Sequence, residues 1–167
     1  MLGFIKRCTV DFYNVQDLKW LYCALVRPHL EYASCVWLPY YNIHKNSIER
    51  VQHKFLKHVS SKMNISKHSD AEILALLNLS PIITRHQRRD LLMFYNILNG
   101  SVAAPPGLLS KISLYVPPRT TRSITSFKVP THRTNYGCNS FVSRASRLAN
   151  RQTGLDFFSN STVFLRQ

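Results

Sequence analysis

The sequence predicts a mainly α-helical fold. A small helical bundle over residues 1–100 is followed by an irregular, proline-punctuated basic extension over residues 101–167 with one or two further helices. Three observations carry this expectation. Apolar residues recur at helical spacing through the first hundred residues. Pro105, Pro106, Pro117, Pro118 and Pro130 then break the chain into extended or irregular segments. The charge changes at the same boundary: from Ser101 to Gln167 the only acid is Asp156, set among nine Lys and Arg.

In the first helix, Leu18, Leu21, Tyr22 and Leu25 fall at i, i+3, i+4 and i+7. Pro28 should interrupt or kink it, because proline lacks the N–H and crowds the preceding turn. The pattern resumes through Leu30, Ala33 and Trp37, and Pro39 closes it. A second helix is expected from about Lys45 to His58, with Ile48, Val51, Phe55 and Val59 as its apolar stripe. Ser69-Asp70-Ala71-Glu72 is a capping-box pattern that opens a short helix through Leu77. Ser80-Pro81 has the form of an N-cap and first helical position. The helix after it carries Leu91, Phe94, Tyr95 and Leu98 on one side and stops at Asn99-Gly100. Beyond Gly100, Ser123–Val129 fits a short strand and Ser140–Arg151 a helix with Phe141, Ala145 and Leu148 on one face; a last turn fits Ser159–Leu165.

The chain has 167 residues, of which 45% are hydrophobic, enough to bury a core. Its net charge of +14 points to a polyanionic partner, because clustered Lys and Arg release counterions from a phosphate backbone. The four cysteines, Cys8, Cys23, Cys35 and Cys138, form no C-x-x-C pair and no Cys/His set with zinc spacing. Cys23 and Cys35 lie in apolar runs, where buried free thiols are expected, and the setting reads as reducing and intracellular. No stretch approaches the roughly 20 apolar residues of a membrane span.

Catalytic constellations are missing from the pattern. Two-metal phosphoryl transfer needs clustered carboxylates. The eight acids are scattered, and the closest set, Asp70 and Glu72, reads as a helix N-terminus. There is no Asp-Asp pair, no G-x-x-x-x-G-K-[ST] loop, and no histidine in an H-E-x-x-H frame. The sequence therefore calls for no catalytic residue, no metal, no cofactor and no small-molecule substrate.

The basic helix faces are the strongest chemical signal. Arg50, Lys54 and Lys57 lie opposite the apolar stripe of their helix, and with Lys62 they are candidates to track a phosphate backbone. Arg85, Arg88 and Arg89 form a second group. In the extension, Arg119, Arg122, Lys128 and Arg133 are interleaved with Tyr115, Phe127 and Tyr136, a pattern that pairs phosphates and stacks bases. The competing reading makes the helix faces merely solvated and uses the aromatics to dock the extension.

Four segments also carry a resemblance. LYCALVRPHLEYASCVWLPYY, through Leu25, Arg27, Pro28, Leu30, Glu31, Tyr32, Val36, Trp37 and Pro39, resembles the segment after the polymerase palm in non-LTR (LINE-type, jockey-like) retrotransposon endonuclease–reverse transcriptases. IERVQHKFLK is similar to that family's I-E-x-V-Q-x-x-F segment through Ile48, Glu49, Val51, Gln52 and Phe55. RRDLLMFYNILNG resembles its next segment through Arg88, Arg89, Leu91, Tyr95, Leu98 and Gly100. The arginine-rich end is similar through Arg119, Arg122, Arg133, Thr134, Asn139, Ser140, Phe141, Arg144, Leu148 and Asn150, although Ala149 stands where many members have tryptophan.

The resemblance covers nearly the whole chain in the family's order. It implies an RNA-directed DNA polymerase context, with residues 1–100 approximating the thumb, the helical unit that grips primer and template. It implies RNA, DNA or an RNA–DNA hybrid as partner, together with a full-length reverse transcriptase palm. The family's paired catalytic aspartates have no counterpart here, so a nucleic-acid-binding fragment is expected that is not an enzyme by itself, with Met1 opening a truncated frame. The rival expectations are a non-functional transposon-derived relic, a helical protein–protein adaptor and, least favoured, a stand-alone enzyme such as a hydrolase whose triad assembles from distant positions.

Overall fold

The computed structural model describes residues 1–64, 69–116, 125–152 and 156–157. It is mainly helical, with one two-stranded sheet among the described residues, and it divides into two compact units, Met1–His86 and Gln87–Gln167.

In the first unit, α1 (Leu2–Cys8) leads to α2 (Val15–Leu21), where the Asn14 side chain caps the Gln16 N–H at 3.0 Å. The chain does not break at Pro28. It widens into a π-helical turn, Tyr22–Val26, before α3 (Arg27–Glu31). A proline in an ordinary helix would crowd the carbonyl four residues back, and a widened turn gives it room. The helix expected to resume through Leu30, Ala33 and Trp37 does not. Ala33 adopts the left-handed conformation, φ 51°, and only a single turn, α4 (Ser34–Trp37), follows. Ala33 and Trp37 consequently lie on the exposed side rather than in a core stripe.

The next helix, α5 (Asn42–Lys62), extends beyond Lys45–His58 at both ends. Gln52, Phe55, Leu56 and Val59 are its buried residues, while Ile48 and Val51 are half-buried at the edges of the stripe. Ser69 opens α6 (Asp70–Leu76) with the expected capping box: its hydroxyl accepts from the Ala71 N–H, and the Glu72 carboxylate accepts from the Ser69 N–H at 3.2 Å. Caps of this kind contribute about 1 kcal/mol. His53 of α5 pairs with Asp70 of α6.

The following helix, α7 (Ile82–Leu98), starts one residue later than Ser80-Pro81 suggests. The Pro81 carbonyl accepts the first helical hydrogen bond, from Arg85, so Pro81 occupies the cap position and Ser80 lies outside it. The cap comes from another element. The Glu49 carboxylate accepts from the Ile82 N–H at 3.1 and 3.3 Å, and the Gln52 amide donates to the Ser80 carbonyl at 3.1 Å. A carboxylate suits this place better than a hydroxyl, because it also complements the positive end of the helix dipole.

The core of this unit joins Ile5, Leu18, Tyr22, Val26, Phe55, Leu56, Val59, Ile73, Leu77 and Leu79. Tyr22 lies flat on Phe55, with centroids 4.2 Å apart and planes at 10°, and its hydroxyl donates to Gln52 Oε1 at 3.2 Å. Burial pushes the Tyr22 hydroxyl well above the ordinary tyrosine range.

The second unit begins within α7. That helix ends in a Schellman motif: Gly100 has φ 67°, its N–H donates to Ile97, and the Ser101 N–H donates to Asn96. After α8 (Pro106–Leu109), β1 (Ser113–Leu114) pairs antiparallel with β2 (Phe127–Lys128). The strand expected over Ser123–Val129 is thus reduced to two residues, with Ser123 and Ile124 outside the described residues. Two helices complete the unit, α9 (Asn135–Cys138) and α10 (Phe141–Arg151), the latter with Ser140 at its N-cap position. The turn expected near Ser159–Leu165 lies outside the described residues.

Leu91, Phe94, Tyr95, Phe127, Ala145, Ala149 and Phe157 form the second core. Phe94, Phe127 and Phe157 meet edge to face, with centroids 5.0 to 6.1 Å apart. Asn150 holds β2: its amide donates to the Phe127 carbonyl at 2.8 Å and its carbonyl accepts from the Phe127 N–H at 3.0 Å. The compact units divide inside α7, whose Leu91, Phe94 and Tyr95 belong to the second core together with residues beyond Gly100.

Two changes probe these constraints. Asp90 is fully buried and holds Arg144 through both oxygens, at 2.6 and 3.1 Å. Asp90→Ala removes the carboxylate that holds that guanidinium and is expected to cost on the order of 3 kcal/mol, read as a lowered urea midpoint. Ala33→Gly removes a Cβ from a left-handed residue and is expected to stabilise the protein by up to about 1 kcal/mol in the same assay.

Candidate nucleic-acid interface

Arg50, Lys54 and Lys57 stand on the outward face of α5. At 100° per residue they fall within about 60° of one another and roughly opposite the buried Phe55 and Val59. All three are exposed, and none makes a hydrogen bond or ion pair with the described residues. The same face carries Ile43, Asn46, Ser47 and Ser61 and no acid. The α5 row is therefore an uncompensated cationic strip, fixed in register by the burial of the opposite face.

Lys62 does not join it. Lys62 lies nearer the core side of α5, and its ammonium donates to the carbonyls of Thr9, at 2.9 Å, and Val10. It also sits over the Tyr13 ring, 5.7 Å from the centroid. Its charge is engaged in closing the segment after α1.

Arg85 is likewise occupied. Its guanidinium grips the buried Glu31 carboxylate, with Nη2 to Oε2 at 3.1 Å and Nε on Oε1. Arg27 Nε donates to the same Oε1 at 2.9 Å. A carboxylate only 1% exposed must keep cations with it, and these two arginines supply them. Arg85 is thus paired with a carboxylate 54 residues away, while Arg88 and Arg89 of the same sequence group are exposed.

In the second unit, Arg88 and Arg89 are exposed on α7, and Arg133 is exposed ahead of α9. Arg119 and Arg122 lie outside the described residues. Of the interleaved aromatics, Tyr136 is 84% and Tyr115 45% exposed, but Phe127 is 2% exposed and packed in the core. Phe127 is therefore unavailable to stack a base, and the structural role is the one it fills. Sequence reasoning missed the residues that hold the arrangement together: Glu31, Asp90, Glu49 and Gln52. Residue order carries no signal for them, because each takes its partner from far along the chain.

All four cysteines are free; Cys8 is exposed, and Cys23 and Cys35 are half-buried rather than fully enclosed. Among the described residues no group of His, Cys, Asp and Glu converges as a metal site. No helix of the described residues is long and apolar enough to cross a membrane. No protein-family model matches the chain, and no curated protein or solved structure shows significant similarity to it.

One group near the strip has a displaced titration. His58 Nε2 is buried without a hydrogen-bond partner. Burial, then the charges of Lys6 and Lys62, hold its pKa below the ordinary 6.5. A lowered histidine pKa means that the unfolded chain takes the proton first. Stability from this residue is full above pH 6.5 and falls as the pH drops through the folded value. His58→Gln should flatten this fall, measured as urea midpoints of the variant and the parent chain at a series of pH values on either side of pH 6.5. Parallel pH dependence in the two proteins would show that His58 is not the group responsible.

Proposed function

We propose that this chain is a nucleic-acid-binding piece of a non-LTR (LINE-type, jockey-like) retrotransposon reverse transcriptase, corresponding to the thumb and the region after it. It binds RNA–DNA hybrid, or structured RNA or DNA, through phosphates and without sequence preference. The observation that carries the reading is the row Arg50, Lys54 and Lys57: three exposed cations on one helix face, with no partner among the described residues. Phosphate contacts of this kind position a strand and carry no sequence information.

The resemblance supports the same reading. Several residues that carry it, namely Glu31, Glu49, Gln52, Arg144 and Asn150, make tertiary hydrogen bonds rather than standing on the surface. The 167 residues contain no paired aspartates, so polymerase chemistry would belong to a palm supplied by another part or copy of the enzyme. The chain contributes grip and no chemical step.

A second reading, a helical protein–protein adaptor, is favoured by a separate observation. Tyr32, Val36, Trp37, Tyr41 and Ile43 are all exposed within one short stretch of the first unit. Exposed apolar side chains gathered this closely mark interaction surfaces. An adaptor would hold a stable partner or a second copy whether or not nucleic acid is present.

The deciding measurement is a titration against an RNA–DNA hybrid across salt concentrations. Affinity should fall steeply with salt. Replacing Arg50, Lys54 and Lys57 together by glutamine should lower the magnitude of the log–log slope by about 2 to 3, close to one for each phosphate left unpaired. A flat salt response, no binding at low salt, or an unchanged slope in the triple variant would overturn the proposal.

A further inference from the structure

A groove of about 690 Å³ opens beside the α5 row, between α1, the end of the π turn, α3 and α5. Leu2, Val26, Leu30 and Val51 give it an apolar lining, with Val26 buried and the other three half-buried. Lys6, His29 and Lys54 also line it, and His29 and Lys54 are exposed. None of these three basic side chains makes a hydrogen bond or ion pair with the described residues, and no acid lines the groove.

Lys54 is the joint between this groove and the outward strip. It lines the groove together with Val51, about 60° away around α5, and it is also the middle member of the Arg50, Lys54 and Lys57 row. A ligand held by the row passes the mouth of the groove.

We propose that the groove receives one unpaired base of a nucleic-acid strand whose phosphates run along Arg50, Lys54 and Lys57. This rests on the nucleic-acid reading above and narrows it to strands with an extruded or unpaired nucleotide. A base has apolar faces and an edge rich in acceptors. The groove offers aliphatic walls for the faces, and Lys6 and His29 as donors for the edge. Its volume of about 690 Å³ leaves room for one base in an open groove. The aliphatic lining sets no hydrogen-bond pattern for one particular base, so acceptance is by shape and is tolerant of sequence.

The test uses the full chain and three RNA–DNA hybrids of equal length: fully paired, with one bulged adenine, and with an abasic bulge in the same place. The bulged adenine is expected to bind on the order of tenfold tighter than the abasic bulge, the scale set by burying the apolar faces of a base against aliphatic walls. A 2-aminopurine in the bulge should change its fluorescence on binding. Leu2→Asn puts an amide in the groove at the first position of α1, which is only half-buried, and should bring the adenine-to-abasic ratio toward one without changing the salt slope. Equal affinity for adenine and abasic bulges, with the steep salt dependence retained, would overturn the groove assignment and leave the basic strip standing. Displacement of a bound hybrid by an acidic, leucine-rich peptide, with no difference between the two bulges, would give the groove to a protein partner and overturn it as well. Failure of all three hybrids to bind would sink the nucleic-acid reading itself.

Discussion

A carboxylate taken out of water has to bring its cations with it, and the surface chemistry of this protein follows from that constraint. Glu31 in the first unit and Asp90 in the second are almost wholly enclosed. Glu31 binds Arg27 and Arg85, and Asp90 binds Arg144. These arginines are thereby removed from the set that faces solvent. Lys62 leaves it for a different reason, because its ammonium donates to the backbone carbonyls of Thr9 and Val10 after α1. What remains outside on α5 is a shorter and better-defined row than the basic composition alone would indicate.

The same polar contacts decide how the helices are joined. Glu49 and Gln52 lie one turn apart on α5 and hold the start of α7, while Gln52 also receives the Tyr22 hydroxyl. One amide thus links the stacked Tyr22–Phe55 pair to a helix start. A change at Gln52 would take a partner from both the buried Tyr22 hydroxyl and the half-buried Ser80 carbonyl, which is why a buried amide here carries more weight than its small number of bonds suggests. The outward cations of α5 inherit their positions from these inward contacts, since the two faces belong to one rigid helix.

Much of this is legible from residue order. The apolar stripe through Phe55 and Val59, the capping box at Ser69, the stop at Gly100 and the opposed row Arg50, Lys54 and Lys57 are local patterns with a helical period, and local patterns are what a sequence displays directly. The failures share one physical cause. Arg85, Lys62 and Phe127 are each assigned by partners far along the chain, and periodicity specifies a face without specifying what meets it. Ser80 is displaced from its cap by a carboxylate on another helix. Ala33 lies in a left-handed conformation that its residue type does not advertise. Prolines and glycine mark turns, whereas the cores divide according to which side chains pack together, and for that reason the boundary between units falls inside α7.

Asn150 has a consequence beyond fastening β2. In an antiparallel pair, alternate residues direct their backbone groups toward the partner strand and away from it. The Tyr115 N–H meets the Ser126 carbonyl on one side, and the Phe127 N–H and carbonyl are taken up by the Asn150 amide. That amide reproduces the donor and acceptor that another strand would offer. It occupies the edge with a side chain that cannot propagate, so the sheet ends where it is and presents no template there to a second chain. A two-residue strand gains little by lengthening, and here a helix supplies the full stop.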